Sequence, residues 1–121
     1  NEGELAARLG RVLQGDAALA AACRELQAQG AQDVVVTLGA RGVLFTNAAG
    51  EVEHLAAPPA DVVDVTGAGD AFSAGLVLSL HGGGSDLALA CRRGLQLAAL
   101  TIGCRETVCP NLAPDTFGAL I

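Results

Sequence analysis

Residues 64–75 read DVTGAGDAFSAG. Gly67 and Gly69 mark a sharp turn, and the apolar stretch that follows puts Phe72, Leu76 and Leu80 in helical line. A glycine turn that opens a helix is an anion site in waiting. Glycine lets a negative group come close to the backbone N–H groups, and the helix adds the positive end of its dipole. Asp70 nevertheless places a carboxylate inside this turn. One reading is a first-turn acid that stabilises the dipole, worth roughly 0.3–1 kcal/mol. The other is a general base: Asp70 takes a proton from a substrate hydroxyl while the turn holds the charge of a transferring phosphoryl group. The hydroxyl then lies between carboxylate and phosphate, which avoids the repulsion. The stretch is not a Walker A loop, because no Lys-Ser or Lys-Thr follows. Nor is it G-x-G-x-x-G, because Phe72 stands at the third glycine position.

The rest of the chain reads as helices and short strands. Residues 4–13 place Leu5, Leu9, Val12 and Leu13 on one helical stripe. In residues 15–30, Asp16 caps a second helix, Leu19, Cys23 and Leu26 form its buried face, and Gly30 closes it. DVVVTLG at 33–39 reads as a strand buried on both faces. GVLFTN and EVEHLA flank AAG as a hairpin, and Pro58 and Pro59 end it. ADVVDVTGAG carries an extended segment into the glycine turn. After the helix that follows, Ser85 caps a long helix that Gly103 stops. Residues 104–114 are irregular, and DTFGALI forms a last short helix. This order predicts an α/β domain, with helices packed on a partly parallel sheet.

Composition narrows the function. The 121 residues suffice for one ordinary domain, 51% are hydrophobic, and with no Trp or Tyr and three Phe the core rests on Ala, Val, Leu and Ile. A net charge of −6 without a basic cluster argues against nucleic acid as a partner. No apolar run approaches the roughly 20 residues that span a bilayer. Cys23, Cys91, Cys104 and Cys109 form no C-x-x-C pair, and His54 and His81 lie far apart, so a zinc site is not expected. The cysteines read as reduced thiols in an intracellular compartment, the cytoplasm first. The chain contains no methionine. It is therefore expected to be processed or a piece of a longer protein.

DVTGAGDAF resembles the C-terminal signature of the PfkB/ribokinase family of ATP-dependent sugar and nucleoside kinases. Two further stretches match in the same order: NEGE at 1–4 resembles the N-x-x-E motif, and TLGARG at 37–42 resembles the strand-end loop that borders the nucleotide. Together they cover residues 1 to about 110. The resemblance implies the C-terminal, nucleotide-binding half of a ribokinase-like three-layer α/β/α sandwich over residues 1–121. The N-terminal substrate and lid portion would lie outside the chain. It implies Asp70 as catalytic base, with the amides of Gly67, Ala68 and Gly69 as anion hole. Thr37, Gly39 and Gly42 would line the ATP site. Asn1 and Glu4 would act on Mg2+ and the phosphates through water. Asp64 and the carbonyl of Thr66 match positions that hold an activating monovalent cation such as K+ in many relatives, and Glu106 stands near a position often small there.

CRETVCPNL at 104–112 resembles the segment that closes the pseudouridine kinase branch, which makes pseudouridine the leading acceptor. Ribokinase-, fructokinase- and adenosine kinase-like specificities are alternatives, as is a nucleotide-binding module without turnover of its own. The residues themselves also permit plainer roles. Asn1 and Glu4 fit a capping box, and Asp64 fits a turn. His54 reads as exposed at an edge strand, and His81 as a helix-end cation. Arg92 and Arg93 read as a solvated helix face. Arg41 reads as a surface residue or a phosphate contact. A sheet cut short exposes an edge and apolar surface, so self-association, or association with the absent N-terminal portion, is expected.

Overall fold

A computed structural model describes residues 1–47, 49–58, 67–82 and 86–103. The expected extended segment before Gly67, the cap at Ser85, and everything expected after Gly103 lie outside these residues. The chain divides into two compact units, Asn1–Ala56 and Ala57–Ile121.

The first unit begins with α1, Glu2–Leu9. Asn1 and Glu4 form the capping box: Asn1 Oδ1 accepts from the Glu4 N–H at 2.9 Å, and the Asn1 main-chain nitrogen donates to Glu4 Oε2 at 2.6 Å. The helix is shorter than its apolar stripe. Gly10 takes φ 68°, where glycine alone is at ease, and the Arg11 N–H turns back to the Ala6 carbonyl at 3.2 Å. Leu5 is buried, whereas Val12 lies past the stop and is 80% exposed. Helix α2, Gly15–Ala28, starts at Gln14 without a side-chain cap, so the expected Asp16 cap is not formed. Asp16 sits in the first turn and accepts from Arg41 instead. The end of α2 follows expectation: Gly30 is at φ 115°, and the Ala31 N–H reaches the Leu26 carbonyl at 3.1 Å.

Three strands follow: β1 (Val35–Thr37), β2 (Val43–Thr46) and β3 (Val52–Leu55). Their order is β1-β2-β3, and both pairings are antiparallel, with Val36 opposite Leu44 and Leu44 opposite His54. The parallel pairing expected from sequence is not among the described strands. Short hairpin connections make antiparallel neighbours directly, whereas parallel ones need a crossover. The turn between β2 and β3 is held by Asn47, whose Oδ1 accepts from the Ala49 N–H at 2.9 Å and the Glu51 N–H at 3.0 Å. Burial also differs from expectation. Around β1 only Val34, Val36 and Leu38 are fully buried, and Val35 and Thr37 are half-buried. The strand buried on both faces is the central one, β2. Leu5, Leu19, Ala22, Cys23, Val34, Val36, Leu38 and Leu44 make one core between the two helices and a sheet face. Each such aliphatic side chain adds roughly 1.5–3 kcal/mol when fully buried.

Thr46 closes the sheet beyond β1. Its buried Oγ1 accepts from the Val34 N–H at 3.0 Å, and its own N–H donates to the Val34 carbonyl at 3.0 Å. Thr46→Val keeps the shape and removes the acceptor, leaving a buried N–H unsatisfied. Urea unfolding is expected to show a loss of about 1–3 kcal/mol. A change below about 0.5 kcal/mol, the size of an ordinary surface substitution, would contradict this.

The second unit is built on α3 (Ala68–His81) and α4 (Leu87–Ile102). Asp86 caps α4, its Oδ1 accepting from the Leu89 N–H at 2.8 Å. The buried positions of α3 are Phe72, Gly75 and Ser79. Of the expected stripe Phe72 is buried and Leu76 half-buried, whereas Leu80, with Val77 and Leu78, faces solvent, at 44%, 62% and 54% exposure. Glycines explain the shift, because the helices meet backbone to backbone. A Cβ on Gly75 would come within 2.9 Å of Gly94 Cα, and one on Gly94 within 2.7 Å of the Phe72 carbonyl oxygen. Arg93, expected on a solvated face, is half-buried and donates from Nη1 to Ser79 Oγ at 2.8 Å, joining the two helices. Arg92 is exposed, as expected. Cys23 and Cys91 are free and buried, Cys23 on the face of α2 expected to be buried. Burial raises both thiols, that of Cys91 to about 12, which makes neither a reactive nucleophile.

Candidate active site

The first unit carries two of the expected site stretches. Thr37 ends β1, and a tight turn at Gly39–Arg41 follows. Gly39 has φ 62° and Gly42 has φ 98°. Both lie in the region that favours glycine, so the spacing T-L-G-x-x-G is what this backbone requires. The loop is closed by the Leu38 N–H donating to the Gly42 carbonyl at 2.8 Å and the Gly42 N–H to the Gly39 carbonyl at 3.1 Å. Gly39 is exposed and Gly42 buried. Asn1 and Glu4 also lie in this unit, engaged with each other in the capping box. The Glu4 side chain remains 77% exposed.

The second unit carries the third stretch. Gly67 is the N-cap of α3 at φ 83°, and having no side chain it caps nothing. The Ala71 N–H donates to the Gly67 carbonyl at 2.9 Å, so the helix has begun there, and the amides before Ala71 are left uncapped. A Cβ on Gly69 would meet nothing within 4 Å, so packing does not require glycine there. Its absent side chain keeps the first turn open. Asp70 is exposed on that turn and has no side-chain partner among the described residues. The turn can thus receive an anion at its amides beside a free carboxylate.

The remaining expectations divide. Asp64 and Thr66 lie outside the described residues. Arg41 is engaged with two carboxylates: Nη1 donates to Asp16 Oδ1 at 2.9 Å and Nη2 to Glu2 Oε1 at 3.3 Å, and these partners raise its pKa. Sequence reading missed both partners, which stand 25 and 39 positions away. His54 is exposed on β3, as expected, and its Nε2–H donates to the Arg41 carbonyl at 2.6 Å. His81 ends α3, exposed. Among the described residues no three His, Cys, Asp or Glu side chains gather to hold a metal. Glu4 with one oxygen in the capping box suits a water-mediated contact to a magnesium ion that a nucleotide carries, and no protein cage. No described helix is long and apolar enough to cross a membrane.

Residues 1–113 match the profile of the pfkB family carbohydrate kinases. The 1-phosphofructokinase of Haloferax volcanii is 40% identical over 114 residues, covering 93% of this chain and 36% of that protein. Phosphofructokinase-2 from Escherichia coli, solved with potassium, superposes with a TM-score of 0.84 at 25% identity, over 99% of this chain and 38% of that one. Aminoimidazole riboside kinase from Salmonella enterica, solved with aminoimidazole riboside and an ATP analogue, gives a TM-score of 0.75 at 30% identity over 98% and 39%. The fold is thus ribokinase-like α/β. The chain belongs to the pfkB family of carbohydrate kinases. It spans about a third of the length of the 1-phosphofructokinase it matches.

Proposed function

We propose that the protein carrying this chain transfers a phosphoryl group from ATP to a hydroxyl of a small sugar or nucleoside. The observation that carries the reading is the start of α3, where an uncapped turn opens beside the unpartnered Asp70 carboxylate. The amides of Gly67, Ala68 and Gly69 stabilise the charge that develops on the transferring group. Asp70 accepts the proton of the attacking hydroxyl. Thr37, Gly39 and Gly42 line the nucleotide. Asn1 and Glu4 act on Mg2+ through water, and Asp64 with the Thr66 carbonyl serves a monovalent cation.

Residues 1–121 form, on this reading, the C-terminal part of a kinase domain whose substrate and lid portion lies outside them. The solvent-facing Val77, Leu78 and Leu80 support association with that portion or with a second copy. Relatives named 1-phosphofructokinase recur, so fructose 1-phosphate is the first acceptor to test. Pseudouridine is the second, on the strength of residues 104–112, which lie outside the described residues.

The test is MgATP titration by calorimetry, followed by ADP release with fructose 1-phosphate, pseudouridine, ribose and aminoimidazole riboside. Binding and acceptor-dependent ADP release are expected from the full-length protein. Binding without release from any acceptor would leave a nucleotide-binding module. Absence of binding would overturn the reading.

A further inference from the structure

We infer that Arg41 is a positioning residue for the nucleotide loop, an inference that rests on the functional reading above. The loop Gly39–Gly42 has a positive-φ glycine at each end, at 62° and 98°. Glycine holds its own conformation weakly, so these two positions are joints and cannot by themselves fix where the loop points. Arg41 lies between them and is tied on three sides. Its guanidinium bridges Asp16 in the first turn of α2 and Glu2 in the first turn of α1, at 2.9 and 3.3 Å. Its carbonyl accepts from His54 Nε2–H of β3 at 2.6 Å. Its amide donates to the Leu38 carbonyl at 3.3 Å.

The arrangement couples two candidate stretches of one compact unit. Glu2 stands between Asn1 and Glu4 in the helix start, so the fork of Arg41 ties that start to the loop carrying Gly39 and Gly42. A guanidinium suits the task because its planar fork reaches two carboxylates at once, and a lysine ammonium does not present that geometry. The ion pairs are half-exposed, with side-chain exposures of 52%, 43% and 56% for Arg41, Glu2 and Asp16. Exposed pairs add little to global stability. Their effect is on the placement of a loop, and the readout is nucleotide KM.

The experiment compares MgATP KM and kcat for Arg41→Ala, Arg41→Lys, the double variant Glu2→Gln/Asp16→Asn, and all three changes together, in the full-length protein. Arg41→Ala is expected to raise the MgATP KM roughly five-fold with kcat within about two-fold, and Arg41→Lys to recover only part of it. The double carboxylate variant is expected to reproduce the rise, and Arg41→Ala in that background to add nothing, since coupled groups are non-additive. If the carboxylate variant left KM unchanged or lowered it while Arg41→Ala raised it, Arg41 would be a phosphate contact and the positioning role would be overturned. Unchanged KM in every variant would overturn it too. A parent protein that fails to bind MgATP at all would instead remove the functional reading, and this inference with it.

Discussion

Asp70→Asn is expected to lower turnover by roughly 10²–10⁴-fold, the usual share of general acid–base catalysis, while MgATP binding persists. The substitution is nearly isosteric and removes the proton acceptor. It leaves the Gly67 N-cap and the uncapped amides of α3 in place. Asp70 is exposed, so its removal disturbs no packing, and the helix loses only the dipole contribution of roughly 0.3–1 kcal/mol. Two measurements separate the readings of this residue. Single-turnover ADP formation reads the chemical step, and thermal unfolding reads the dipole role. Lost chemistry with a nearly unchanged melting temperature would establish the base. Unchanged chemistry would reduce Asp70 to a helix-start acid, and the anion turn would need another base.

Gly94→Val is expected to be among the most destabilising single changes in this chain, costing about 3 kcal/mol or more by overpacking. Even a Cβ at this position would lie 2.7 Å from the Phe72 carbonyl oxygen and 2.8 and 3.0 Å from two of its ring carbons. The nearest obstacle is backbone, which cannot rotate away, and the added methyls of valine extend the clash. Gly69→Ala is the matched control. It too is a helix glycine, in α3 where Gly94 is in α4, but a Cβ there meets nothing within 4 Å, and it gains helix propensity of up to about 1 kcal/mol. Urea unfolding is expected to shift the midpoint sharply downward for Gly94→Val and to leave it equal or higher for Gly69→Ala. A midpoint for Gly94→Val equal to that of the parent would mean that α3 and α4 are not held at this distance. Phe72 stands two residues beyond Asp70 on the same helix. A milder Gly94→Ala variant that stays folded therefore tests whether the crossing also places the carboxylate.

The sequence was most legible where a local rule decides a local structure. The capping box of Asn1 and Glu4, the stop of α2 at Gly30, the strand-end loop with its two glycines and the turn at Gly67 each depend on a few adjacent residues, whose chemistry suffices. The same locality set its limits. Ser85 and Asp86 are both good caps side by side, and Asp86 is the one whose carboxylate meets the Leu89 N–H. Val12 continues an apolar stripe but falls beyond Gly10, and the backbone stop overrides the pattern.

By itself, then, the chain determined the local grammar: a strand-end loop with glycines at its two positive-φ positions, a glycine turn that opens a helix, and a carboxylate in the first turn of that helix. Tertiary structure alone decided which faces are buried and which charges meet. α3 is apolar nearly all round, so periodicity could not choose between the line through Leu76 and Leu80 and the one through Gly75 and Ser79. The choice fell to the smaller residues, because two backbones can approach only where side chains are absent or short. The engagement of Arg41 with Glu2 and Asp16 was likewise beyond any local rule. An ion pair between residues 39 positions apart exists only once α1, α2 and the sheet have folded around one core.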